Sequence, residues 1–135
     1  MSRNAIHDAL ATRLVAIQSS GTPPIAGENF DYDPVVGTLY LSEKVFPSGN
    51  VPLGTGNADT DRHQGLYQVT VHGKAGDGRN EVEEQADLVA AHFPKGGEYT
   101  SGGITVRVRR VEIEQGFNSE GWYVMPVSVY WQALI

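Results

Sequence analysis

The end of the 135-residue chain, "WYVMPVSVYWQALI", constrains the fold more than any other segment. One set of alternating positions is apolar, and it comprises Tyr123, Met125, Val127, Val129 and Trp131. The other set is largely apolar too, through Trp122, Val124 and Tyr130. Because successive side chains of a β-strand point to opposite faces, such a strand is covered on both, by helices or by another chain. Pro126 has no N–H, so it is expected at a non-pairing position or on an edge.

Two segments have the apolar periodicity of helices, residues 2–18 and residues 80–93. The first stripe is formed by Ile6, Leu10, Leu14 and Ile17, and the second by Val82, Ala86, Val89 and Phe93. Arg13 falls within the first stripe, where its guanidinium either reaches past the helix edge or is buried against a carboxylate or a neighbouring subunit. Leu88 lies off the second stripe, which indicates either a second surface to cover or one singly exposed leucine.

Three further segments predict strands: "VGTLYLSEKVF", "GLYQVTVHG" and "GITVRVRRVEIEQ". In the last one, the apolar positions change parity after Val108, so one extra residue at Arg109-Arg110 is needed to keep a single apolar face. This pattern predicts a β-bulge, with a polar face formed by Arg107, Arg109, Glu112 and Glu114. Residues 47–64, by contrast, show no periodicity. They are expected to be a long loop, the mobile arm of a hairpin and a surface that other proteins bind.

The order α-β-β-α-β-β and the length predict one domain, residues 1–135, of the α+β class. We expect a mostly antiparallel four-stranded sheet with two α-helices on one face. The formal charge of −6 argues against general nucleic-acid binding. The absence of cysteine excludes disulfides and thiolate sites. No apolar run approaches the ~18 residues of a membrane span, and the N-terminus lacks the apolar core of a signal peptide.

The glycine-rich segment "HGKAGDGRNEVEE" is reminiscent of a nucleotide site, but its details oppose one. Lys74 precedes the later glycines instead of following them, and the spacing is G-x-x-G-x-G. Asn80 and Glu83 form a capping-box variant at the start of the following helix. Four carboxylates occupy the end of the helix where a phosphate would bind: Asp77, Glu81, Glu83 and Glu84. We therefore expect a turn and no bound cofactor.

The sequence gives little support for any catalytic residue. Asp59, Asp61 and His63 alternate in "DTDRH", within reach of one cation, but further ligands are missing from the pattern. A solvated acidic loop is the competing interpretation, and a small metal-dependent enzyme is the functional alternative. No G-x-S-x-G motif is present, and Glu112 and Glu114 lie on a solvated strand face. The sequence predicts a protein that is not an enzyme, with no catalytic, cofactor-binding or metal-binding residues.

Four segments combine these features in order: "ALATRLVAI", "HQGLYQVTVHGKAGDG", "ADLVAAHFPKG" and "GWYVMPVSVYW". Together, from residue 9 to residue 131, they resemble the tail-terminator (tail completion) proteins of long-tailed bacteriophages, the group around the lambda-type terminator. The resemblance implies a mixed sheet with two helices and a protruding hairpin. It also implies a virion protein of the head-proximal tail end, present in the host cytoplasm during assembly. A head–tail connector or head-closure ring protein is the alternative.

What the resemblance implies for function is a hexameric ring that stops tail-tube polymerisation and offers a docking surface to the head–neck connector. Its partners would be further copies of itself, the major tail tube protein and the connector. Genomic DNA would pass through the acidic lumen without specific binding, and no membrane is involved. A ring needs two different patches that meet between neighbouring subunits. Candidate residues for subunit or tail-tube contacts are Asp77, Glu81, Glu83, Glu84, Leu88, Arg107, Arg109, Arg110, Arg62 and His63.

Overall fold

The computed structural model describes residues 3–18, 24–27, 39–52, 61–74, 76, 80–119 and 121–134. Two helices are present in this part of the chain, α1 (Arg3–Val15) and α2 (Asn80–His92). The strands are β1 (Ile25–Ala26), β2 (Tyr40–Pro52), β3 (Asp61–Lys74), β4 (Glu98–Ser101), β5 (Ile104–Ile113), β6 (Phe117–Ser119) and β7 (Trp122–Leu134). The elements that the apolar periodicity predicted are all found.

The strands of the described residues form one seven-stranded sheet in the order β1-β2-β3-β7-β5-β4, with β6 also paired to β7. Every pairing is antiparallel except that of β1 with β2. The prediction of a four-stranded sheet is therefore wrong, although the α+β class holds. The strands that were missed have two to four residues, too few to display an alternating pattern. The sheet also curls into a half-barrel around the helices.

The predicted loop at residues 47–64 is wrong in its described parts, because both ends of it are strand. β2 continues to Pro52, β3 begins at Asp61, and Asn50 lies opposite His63. A β-bulge between Pro47 and Gly49 shifts the register there, and pairing with β3 continues on both sides of it. The hairpin does not protrude freely here, since Arg62 also lies opposite Leu134 of β7. Residues 53–60, the rest of the loop, lie outside the described residues.

The predicted bulge in β5 is confirmed, since the register to β7 shifts between Val108 and Arg110. The shift keeps Val106, Val108 and Val111 against the core. In β7, both Val127 and Ser128 are fully buried, although their side chains point to opposite faces. Pro126 falls between the ladders that β7 forms with β5 and β6. Pro126 is nevertheless paired opposite Thr70 in the ladder with β3, and the position is central instead of an edge. Its carbonyl accepts from the Glu114 N–H on the other side, so the missing N–H also points away from β3 and removes no bond from that ladder.

Both predicted helical stripes pack on the same face of the sheet, which we call the helix face. Phe93, which follows α2, is fully buried, and its ring centroid lies 5.9 Å from that of Tyr67 in β3. A Cβ on Gly73 would collide with Cγ2 of Val82. The glycine thus allows α2 to pack closely against the end of β3.

Candidate interaction surfaces

The face of the sheet opposite the helices, here called the outer face, carries an aromatic cluster at one end. The rings of Tyr40 and His72 stack with centroids 4.3 Å apart, and Trp122 meets Tyr40 edge-on at 5.2 Å. Ser42 Oγ lies 2.9 Å from His72 Nε2. Burial lowers the pKa of His72 from its ordinary value of 6.5. A neutral imidazole therefore completes this cluster at pH 7.

The arginines of β5 form a basic row on the same outer face, and all three are exposed. The Arg110 guanidinium lies 3.9 Å from the ring centroid of Tyr130 and forms an ion pair with Glu112. Arg109 Nη1 donates to Gln64 Oε1 at 3.3 Å, and Arg107 lies opposite Glu98 of β4. The contacts of Arg109 and Arg110 hold these two side chains against the sheet while their charge stays at the surface.

An acidic cleft of about 410 Å³ lies where α2 passes the end of β5. Its carboxylates are those of Glu83, Asp87 and Glu114, and Ile113 and Met125 add apolar surface. Ile113 is 41% exposed. Negative charge around an exposed aliphatic side chain is suited to a partner segment that carries both cationic and apolar groups.

The structure places most of the predicted contact residues at the surface. On α2, Glu81 and Glu84 are exposed, Glu83 is half-buried, and Leu88 is 58% exposed. The acidic cleft lies beside the end of β5, the strand that carries the basic row on its outer face. Two further candidates are half-buried on β3 and not in a loop, namely Arg62 and His63. Asp77 lies outside the described residues.

The proposed cation ligands do not assemble in the described residues. His63 is part of β3, while Asp59 and the side chain of Asp61 lie outside what is described. In the part of the chain with described side chains, no group of three or more His, Cys, Asp or Glu residues is arranged to hold a metal ion. Neither described helix is long and apolar enough to cross a membrane.

A buried polar cluster was missed by the sequence interpretation. Glu43 is 8% exposed on the helix face, where its carboxylate accepts a hydrogen bond from the Tyr67 hydroxyl. His7 Nε2 lies 2.7 Å from the other carboxylate oxygen and connects α1 to β2. The signal was present in the sequence, because Glu43 has the same parity as Leu41 and Val45. A carboxylate at an apolar position of a strand indicates a buried partner.

Comparison with known proteins first defines a class, that of bacteriophage tail structural proteins. A family model described as "Phage tail terminator protein" matches residues 5–131, and the chain belongs to that family. The family places the chain in the virion tail and suggests a role without catalysis. A solved structure with 28% sequence identity and a TM-score of 0.79 is similar over 98% of this chain and 96% of that one. No curated protein matches the sequence.

Proposed function

We propose that this chain forms a ring on the head-proximal end of the phage tail tube, where it ends tube polymerisation and offers a docking surface to the head–neck connector. The observation that carries this proposal is the family match, which extends over residues 5–131. We expect the ring to be closed by cyclic symmetry as a hexamer, the number that the family resemblance implies. In this arrangement each subunit has two different patches, and each contact joins one patch of one subunit to the other patch of its neighbour.

The charged surfaces described above suit such a ring. The basic row of Arg107, Arg109 and Arg110 and the acidic start of α2 serve as contacts between subunits or with the tail tube. Complementary charges orient two proteins as they meet and disfavour wrong partners. The net charge of −6 suits a lumen through which DNA slides without sticking.

Native mass spectrometry with negative-stain imaging tests the ring. We expect one closed oligomer, either for the protein alone or in the presence of tail tube protein, and particles with a central hole. A protein that stays monomeric at high concentration in both conditions would overturn the proposal. Binding of the ring to tube ends supports a terminator, whereas binding to the head side alone would assign it to the connector instead.

Charge reversal then tests direct contact between the two patches. If the basic row of one subunit meets the acidic helix start of the next, Arg107→Glu and Glu83→Arg each weaken the ring, and the double variant restores it. Thr105→Glu, on the same strand, is a control for added negative charge. Normal assembly of both single variants would show that these patches do not meet, and would assign them to other partners.

A further inference from the structure

We infer that neighbouring copies of this chain join by pairing the free edge of β5 in one copy with the free edge of β2 in the next, as one antiparallel sheet. This inference rests on the proposed ring and specifies its contact. The segments are Arg110–Ile113 of β5 and Glu43–Phe46 of β2. They lie at opposite edges of the sheet, as a head-to-tail contact requires.

In the part of the chain that the structure describes, the edge of β5 is unpaired after its bulge. β4 covers Ile104–Arg107, and the backbone of Val108 bonds to Gly96 and Gly97. Beyond that point, no strand of the described residues lies outside β5. The Glu114 N–H bonds to the Pro126 carbonyl of β7. Because backbone groups alternate in direction along a strand, Val111 and Ile113 direct their N–H and C=O groups outward.

Among the described residues, the edge of β2 is also unpaired after the part that β1 covers. β1 covers Leu41 and Ser42, and the Leu41 N–H bonds to the Pro24 carbonyl. The same alternation directs the backbone groups of Glu43 and Val45 away from β3. Within the described ranges, no other strand pairs with this side of β2. An open strand edge is a template for pairing with another chain.

The strand directions allow a ring. From β2 to β3, β7 and β5, each neighbour runs antiparallel to the last, so β2 and β5 themselves run in opposite directions. A rotation about an axis roughly along the strands leaves these directions unchanged. The β5 edge of one copy and the β2 edge of the next therefore meet antiparallel, with the helix faces on the same side.

The backbone selects one register, in which Val111 lies opposite Val45 and Ile113 lies opposite Glu43. In this register, each pair exchanges two backbone hydrogen bonds. A shift of two residues in one direction places Ile113 opposite Leu41, whose N–H is already bonded to Pro24. The opposite shift places Val111 opposite Pro47, which has no N–H.

The side chains agree with the same register. On the outer face, Glu112 meets Lys44, and Arg110 meets the ring of Phe46, which is 39% exposed. These are an ion pair and a cation–π contact. In the single chain, Lys44 lies 5.1 Å from the ring of Phe46 and Arg110 pairs with Glu112. Association thus exchanges contacts within each strand for contacts across the new interface.

The helix face also has room for the incoming strand. A cleft of about 310 Å³ runs beside Glu43, lined by Ala11, Val15, Gln18, Ile25 and Gly27. Val15 is 53% exposed there, and Ile113 is 41% exposed on the β5 edge. Seating Ile113 against Val15 removes both side chains from water. Beyond Phe46, β2 has a bulge between Pro47 and Gly49, where its register to β3 shifts.

Cysteine cross-linking tests the register directly, because the chain has no cysteine of its own. Lys44 and Glu112 form a non-hydrogen-bonded pair in the inferred sheet, with a Cα separation of about 4.5 Å that a disulfide spans. Under oxidation, the full-length Lys44→Cys/Glu112→Cys variant should form a covalent ladder that ends at the size of the ring. Each single variant alone should give no ladder, and the two mixed should give dimers.

A second variant keeps the test independent of disulfide chemistry. Val111→Pro removes an outward N–H without removing a bond to β7, so circular dichroism should stay native while the ring is lost from native mass spectra.

The inference is overturned if rings form but the Lys44→Cys/Glu112→Cys variant gives no ladder, or if Glu112→Cys alone forms dimers. In those cases the proposed ring stands with a different contact. A protein with no ring, alone or with tail tube protein, overturns both.

Discussion

Arg13 and His92 exchange hydrogen bonds between the C-terminal ends of the two helices. Arg13 Nε donates to the His92 carbonyl at 2.9 Å, and His92 Nε2 donates to the Arg13 carbonyl at 2.5 Å. The Arg13 guanidinium also lies 5.2 Å from the ring centroid of Tyr99 in β4. A cation and a ring N–H thus add hydrogen bonds to carbonyls at the helix ends, where intrahelical donors are few; the Arg13 carbonyl also accepts from the Ala16 N–H at 3.2 Å. The sequence placed Arg13 in the apolar stripe without identifying this partner.

Replacing Arg13 should loosen the junction of the two helices. We expect Arg13→Ala to lower the free energy of unfolding by about 1–3 kcal/mol, since a charge-assisted hydrogen bond and a ring contact are lost. Arg13→Lys keeps the charge but not the planar donor, and should recover part of the loss. Urea unfolding followed by circular dichroism measures both. Equal stability of Arg13→Ala and the wild type would show that the junction contributes nothing.

The buried carboxylate of Glu43 should depend on its donors. Tyr67→Phe removes one donor from the carboxylate and should cost about 1–3 kcal/mol of unfolding free energy. Tyr99→Phe is the matched control, because Tyr99 does not contact Glu43 and is half-buried. Thermal and urea unfolding of the pair provide the comparison. If Tyr67→Phe is no less stable than Tyr99→Phe, the hydrogen bond from Tyr67 to Glu43 does not stabilise the fold.

Gly73 should tolerate a side chain when Val82 is shortened. Gly73→Ala alone should destabilise by about 1–3 kcal/mol, because its Cβ collides with Cγ2 of Val82 and α2 must shift. In the Val82→Ala background the same substitution should cost less. A double-mutant cycle with urea unfolding yields the coupling free energy. Additive costs would mean that the close approach of helix and strand is not the reason for the glycine.

Lowering the pH should reduce the free energy of unfolding through protonation of His72. Since burial lowers the pKa of His72 in the folded chain below 6.5, the unfolded chain binds a proton more tightly. The contribution of His72 is therefore fully present above about pH 6.5 and is lost as the pH falls through the lowered folded pKa. His72→Phe keeps a ring beside Tyr40 and should flatten this part of the pH profile. Identical profiles for variant and wild type would contradict the assignment.

How much of the fold the sequence predicted depends on how local each signal is. The apolar stripe of α2 (Val82, Ala86 and Val89) lies within a single helix, and the change of parity at Arg109 lies within a single strand. Because each signal is local, α2 and the bulge were predicted correctly. The ladder between Asn50 and His63 depends on pairing with a distant strand, and its prolines and glycines look like a loop. Propensity alone does not reveal such pairing.

The interaction surfaces were predictable to a smaller extent. The exposure of Arg107 and Arg109 was predicted from strand alternation and is confirmed, and Arg110 is exposed as well. That Glu83 lies beside the end of β5 depends on how α2 crosses the sheet, which no periodicity specifies. The edges that are unpaired within the described strands, at Val45 and Val111, are properties of strand order. Sheet topology is decided by tertiary packing and is not contained in any one segment.

Tail-tube elongation tests the central claim most directly. Purified tail tube protein is allowed to polymerise with and without this chain, and tube lengths are measured by negative-stain electron microscopy. If the chain is a terminator, tubes stop growing at one end, become shorter as the ratio of chain to tube protein rises, and carry a ring at that end. Tubes of unchanged length and with bare ends, at a ratio where rings are present in solution, would contradict the account.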